Sequence, residues 1–77
     1  MSSALFFASS LYSEAAVRAT MRAYDGLARF ELRVSENELE LHVFDSDPEL
    51  GEQLLDELAN HVLFETVTQR RAMGVRA

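Results

Sequence analysis

The spacing of apolar residues changes several times along the chain, and each change marks an element. Ala4 to Ala8 is a short apolar run with two phenylalanines, closed by Ser9-Ser10; its brevity and aromatic content predict a strand rather than a helix. Ser13 then offers an N-cap, Glu14 a favourable first-turn acid, and Tyr12 and Val17 have the spacing of a hydrophobic staple. Val17, Thr20, Met21 and Tyr24 recur at helical spacing with Arg18 and Arg22 on the opposite side. This predicts an amphipathic helix of about three turns, stopped at Asp25-Gly26 with Gly26 as a left-handed cap.

From Leu27 the period becomes two. Phe30, Leu32 and Val34 alternate with Arg29, Glu31 and Arg33, and after Ser35-Glu36-Asn37-Glu38 the residues Leu39, Leu41 and Val43 alternate with Glu40 and His42. A hairpin turning at Glu36-Asn37 pairs Val34 with Leu39, Leu32 with Leu41 and Phe30 with Val43 on one dry face. The same register sets Arg33 opposite Glu40 and Glu31 opposite His42 on a wet one. Phe44 joins the wet face, and we read it as end-of-strand packing.

Asp47-Pro48-Glu49 combines a cap, a proline suited to the first helical position and a first-turn acid, and predicts a helix that runs to Met73 with no breaker before Gly74. At about 1.5 Å per residue it spans roughly 35–40 Å, more than a small domain covers. Leu50, Leu54, Leu55, Leu58 and Val62 share one broad face suited to the hairpin's dry side. Beyond Val62 that face carries Glu65 and Gln69, while Ala59, Leu63 and Val67 form a rotated stripe and Phe64 lies on another side. A rotating stripe means either two contact surfaces or a core that wraps further than the first half suggests; we take the first. Val75-Arg76-Ala77 is expected to fray. The expectation is a single α+β domain over residues 1–77, β-α-β-β-α, with an antiparallel hairpin covered on one face by two helices.

Composition narrows the function. A chain of 77 residues has a marginal core, for which oligomerisation or a partner is a common remedy. The net charge of −6 argues against nucleic acid. All cations are arginines, so lysine Schiff-base and P-loop chemistry are excluded; without cysteine there is neither a disulfide framework nor a thiol centre. The N-terminus lacks the basic region of a signal peptide, and its apolar run is too short for a membrane span, so a cytoplasmic protein is expected.

Candidate chemistry is sparse. Asp45 and Asp47 resemble the start of a calcium loop, but no glycine or glutamate follows at the required spacing, which leaves capping as their role. Glu57, His61 and Glu65 stand four residues apart and have the makings of an acid/base couple or two metal ligands. No third ligand or pocket accompanies them, and a solvated helix face explains the same residues. Arg70-Arg71 suits an acidic partner or, more simply, the negative end of the helix dipole. Ser9, Ser10 and Ser13 have no neighbouring base to activate them. We therefore expect no catalytic residues, no metal and no cofactor.

Leu11-Tyr12-Ser13, followed by Ala16 and Tyr24, a hairpin and then Asp56-Glu57-Leu58-Ala59-Asn60-His61-Val62-Leu63, resembles the small HxsD-like proteins encoded beside radical-SAM enzymes in His-Xaa-Ser-type and related peptide-maturation systems. The resemblance runs from Phe6 to Arg71 and is most specific at Glu57, Leu58, Asn60 and Leu63, backed by Thr66 and Arg70. It implies a bacterial accessory protein of ribosomally synthesised, post-translationally modified peptide (RiPP) biosynthesis, one that joins a precursor peptide to its modifying enzyme or belongs to that complex without doing the chemistry. Independently, an exposed hairpin edge and a half-committed helix offer strand addition and helix packing as binding modes. The expected contact surface for a protein or peptide partner is Ala59, Asn60, Leu63, Phe64, Val67, Arg70 and Arg71. The alternative is a structural homo-oligomer using the same distal half-helix; a small enzyme or metal protein using Glu57, His61 and Glu65 ranks last.

Overall fold

The computed structural model describes the backbone of residues 2–74 and the side chains of residues 3–71. The order is β1 (Ser2–Ala8), α1 (Glu14–Ala23), β2 (Arg29–Val34), β3 (Glu38–Phe44) and α2 (Gly51–Gly74). The α+β class and the β-α-β-β-α order are those the periodicities predict. The sheet order is β1-β3-β2, and both pairings are antiparallel. The β1-to-β2 connection through α1 therefore leaves a gap that β3 fills, and β3, paired on both sides, is the centre of the fold.

The hairpin register is the expected one: Val34 opposite Leu39, Leu32 opposite Leu41, Phe30 opposite Val43. Arg33 stands opposite Glu40 and Glu31 opposite His42, as expected. The ion contacts themselves run along each strand, Arg33 to Glu31 at 3.0 Å and His42 to Glu40 at 3.2 Å. These are exposed or half-exposed contacts and add little to stability. Coverage is also uneven. The inward side chains of β3 are buried, whereas Phe30 and Leu32 are half-buried and Val34 is exposed, because β2 is an edge strand that the helices reach only in part.

Both helices lie on the dry side. Leu39, Leu41 and Val43 pack with Phe7 from β1, Ala16 and Val17 from α1, and Leu54, Leu58 and Val62 from α2 in one apolar cluster. Ser13 caps α1 as expected, its hydroxyl accepting the Ala16 N–H at 3.0 Å. Tyr12 packs edge-on to Phe7, ring centres 5.1 Å apart, and so fixes the β1–α1 corner. Gly26 takes the expected positive φ, +98°, but not as the cap of α1: the C-cap is Tyr24, and Gly26 serves the turn that the Leu27 N–H closes on the Tyr24 carbonyl.

The start of α2 is a correction. Asp47 does cap, accepting the Glu49 N–H at 2.9 Å, but it caps a single turn closed by Leu50 N–H to the Asp47 carbonyl. Gly51 then adopts a φ of +45° and the long helix begins there. The breaker that the apolar pattern hid is thus Gly51, ahead of Gly74. A glycine serves because a left-handed backbone costs other residues about 1–2 kcal/mol. The expected fraying of Val75–Ala77 lies outside the described residues.

The turn at Gly51 sets a first prediction. No heavy atom lies within 4 Å of a Cβ built there, so Gly51→Ala should lose only conformational energy, about 1–2 kcal/mol, in urea unfolding. Leu58→Ala, which empties a fully buried site, should lose about 2–5 kcal/mol. A stabilised Gly51→Ala would mean that the helix runs straight on from Pro48.

Candidate functional site

The distal half of α2 has two sides that do different work. Its inner side continues the row Leu54, Leu58, Val62 to Thr66, which is 3% exposed. The expectation that the core face ends at Val62 is corrected here: the face continues, carried by polar residues that fasten α2 to α1 and its approach. Ser13 donates its hydroxyl to Gln69 Oε1 at 2.8 Å while capping α1, and Arg70 Nη2 donates to the Leu11 carbonyl at 2.6 Å. Tyr24 packs edge-on to His61 with ring centres 5.4 Å apart.

His61 is the hub of these ties. Its Nδ1 lies 2.9 Å from Thr20 Oγ1, and that hydroxyl also lies 3.0 Å from the Ala16 carbonyl, four residues back in α1. A carbonyl only accepts, so the Thr20 proton goes to Ala16 and the imidazole must be the donor at Nδ1. The neutral ring then has its lone pair at Nε2, 3.8 Å from Glu65 Oε2; a protonated ring has an N–H there to pair with the carboxylate. Thr20 is fully buried and its hydroxyl is committed, so the Thr20–His61 pair joins two helices. Glu57 stays exposed and makes no ion pair among the described residues. The structure thus separates the Glu57, His61 and Glu65 trio, bringing only His61 and Glu65 together. Among the described residues no group of three or more His, Asp or Glu side chains is placed to hold a metal ion.

The outer side is apolar. Leu63, Phe64 and Val67 are 48%, 62% and 38% exposed, beside exposed Asn60 and Arg71. Ala59 is half-buried and packs on the core at the border of this surface. At 100° per residue the expected contact residues span about 140° of the helix, so they make a curved flank rather than one flat patch. Ala59, Leu63, Val67 and Arg70 occupy one part of it. Phe64 and Arg71 lie further round, towards α1, with Phe64 6.2 Å from the His61 ring centre. Arg70 has a second role that spacing could not show, since its guanidinium holds the chain after β1.

Other surfaces are less defined. The open face of the sheet carries Phe6, 60% exposed, and His42 stacked on Phe44 with ring centres 6.3 Å apart. A hollow of about 470 Å³ lined by Met21, Arg22, Asp25, Ala28, Arg29 and Phe30 lies beyond the end of α1, open to solvent. Neither gathers convergent polar groups around an enclosed space. No helix among the described residues is long and apolar enough to cross a membrane. Comparison of the chain with protein-family models, with characterised proteins and with solved structures finds no match.

The inner ties yield an asymmetric pair of predictions. Thr66 Oγ1 is buried without a hydrogen-bond partner among the described residues, so Thr66→Val should be neutral or stabilising by about 1 kcal/mol. Thr20→Val strands the imidazole N–H at a half-buried position and should cost about 1–3 kcal/mol. Urea unfolding of both variants measures the difference; equal effects would contradict the Thr20–His61 tie.

Proposed function

We propose that this protein is a non-catalytic binding module that presents the outer flank of α2 to a protein or peptide partner. The observation that carries this is the pairing of a firmly held inner side with an exposed apolar outer side on one helix. Four side-chain ties, through Ser13, Thr20, Tyr24 and the Leu11 carbonyl, fix the distal half of α2 in place. Leu63, Phe64 and Val67 are left facing solvent. A surface held rigid before contact loses little conformational entropy on binding. Contiguous exposed apolar side chains on a small protein commonly mark such contacts. Helix-in-groove packing is the binding mode that fits.

The biological setting rests on the resemblance to HxsD-like proteins. Its most specific residues, Glu57, Leu58, Asn60 and Leu63, fall on α2 at the point where the exposed flank begins. In that setting the partner is a peptide-maturation enzyme or its precursor peptide, the protein acts in the cytoplasm, and the chemistry belongs to the enzyme. The commitment of His61 to Thr20 supports the non-catalytic part of this reading, because this part-buried hydroxyl–imidazole pair is consumed in joining helices.

Co-purification with a radical-SAM enzyme encoded beside the gene, which the proposal requires, checks it. The Leu63→Asp, Val67→Asp double variant should fold, since both side chains are substantially exposed, and should lose most of its recovery with the enzyme. Equal recovery of folded wild type and variant would remove α2 from the contact.

A further inference from the structure

The geometry points to a second copy of this chain as the occupant of one part of the α2 flank, in an antiparallel helix pair centred on Leu63. The inference rests on the reading of that flank as a contact surface and specifies who fills it.

Asp56, Ala59, Leu63, Val67 and Arg70 fall within about 80° of one another around α2. Asp56 and Arg70 stand equally far from Leu63 in opposite directions along the helix, and so do Ala59 and Val67. A two-fold axis through Leu63 therefore places Asp56 beside Arg70 of the second copy, Ala59 beside the second Val67, and Leu63 against itself. Each carboxylate meets a guanidinium, twice per dimer, and the small Ala59 makes room for the branched Val67. This self-complementarity is what an isologous interface requires. Asp56 and Arg70 are exposed and Leu63 and Val67 substantially so, while Ala59 packs on the core at the border of the strip and Arg70 bonds Leu11.

The neighbouring strand supplies an independent observation. The strip lies on the β1 side of α2: Leu55 borders a hollow with Ser3, and Arg70 reaches Leu11 just beyond β1. β1 is an edge strand and carries no charge, proline or glycine, whereas the other edge, β2, carries Arg29, Glu31 and Arg33. Edge strands are usually protected by such devices, and β1 has none. With the two-fold axis normal to the sheet, the helix pairing sets the C-terminal ends of the two β1 edges, near Phe7 and Ala8, side by side and antiparallel, with no charge on either to repel the other. Phe64 and Arg71 lie away from the strip and stay free for a different partner.

Light scattering at about 100 µM should give the mass of a dimer. Asp56→Arg sets like charges together twice and should weaken the dimer about tenfold; so should Arg70→Asp, and combining them should restore affinity close to wild type. Because Arg70 also holds Leu11, a second test leaves it intact. The chain has no cysteine, so Leu63→Cys should form a covalent dimer under mild oxidation, the axis bringing the two thiols within disulfide reach, while Thr68→Cys, on the far side of α2, should not. A monomeric wild type, or cross-linking no faster at residue 63 than at residue 68, overturns the dimer. Capture of the enzyme that is lost in Leu63→Asp, Val67→Asp while wild type is monomeric would defeat the dimer and keep the contact surface. A dimer with capture unaffected by that double variant would keep the dimer and take the enzyme off this strip.

Discussion

The fold depends on one contact, that between the inner side of β3 and the Leu54, Leu58, Val62 row of α2. Leu39, Leu41 and Val43 sit on β3, which has a neighbour on each side, so their backbone groups are paired in both directions and their side chains are fully covered. At roughly 25 cal/mol per Å² of buried apolar area, a cluster this small leaves a slim margin over chain entropy. Phe7, Ala16 and Val17 close its sides, and α1 and β1 are held by their contribution to it. The loss of any fully buried leucine here is felt throughout the chain.

Length then decides what α2 does beyond the core. Strands of seven residues extend about 23 Å, while a helix of 24 residues extends about 36 Å, so roughly a third of α2 overruns the sheet. An overrun whose inner side met only water would have little to hold it in place. Here α1 and the chain leading into it lie beneath the overrun, and hydrogen-bonding side chains replace leucines as the contact. Ser13 is economical in this respect, since one hydroxyl caps α1 and anchors Gln69. The polar ties fix orientation as well as proximity, because Thr20, His61 and Gln69 must be aligned for their bonds to form.

The parts of the fold that local chemistry controls were readable from the residues. Strict alternation around Glu36-Asn37 determines the hairpin register, since a shift by one residue would turn Leu39, Leu41 and Val43 to water. Ser13 and Gly26 act within a few residues of themselves. What was hidden depends on tertiary partners. β1 could have paired with either strand of the hairpin, and only the three-dimensional arrangement selects β3. Gly51 sits in a run of good helix formers and looks like a tolerated interior glycine, yet its positive φ redirects the chain. The inner face was lost at Val62 because its next members, Thr66 and Gln69, are polar. The unbroken i, i+4 series 54, 58, 62, 66 was the available sign that it continued. Likewise His61 was grouped with Glu57 and Glu65 by spacing along one helix, when its strongest partner, Thr20, comes from another.

The distribution of charge matters more for the exposed flank of α2 than the net charge of −6 does. At physiological ionic strength exposed charges are screened beyond about 8 Å, so the total matters less than what lies at the contact. The acidic residues are spread over α1, β2, β3, the loops and α2, where Glu52, Asp56 and Glu57 lie in the first half and Glu65 in the second, while Arg70 and Arg71 stand together at its far end. The helix is therefore polarised along its length, with Glu52 and Asp56 towards its N-terminus and the arginine pair towards its C-terminus, each the sign that the backbone dipole favours. That gradient stabilises the isolated helix, and it also sets the electrostatic preference of any helix laid beside it. An antiparallel neighbour of like sequence meets opposite charge at both ends, whereas a parallel one meets like charge at both. The same residues that help α2 form thus select the direction in which another helix can pack on Leu63.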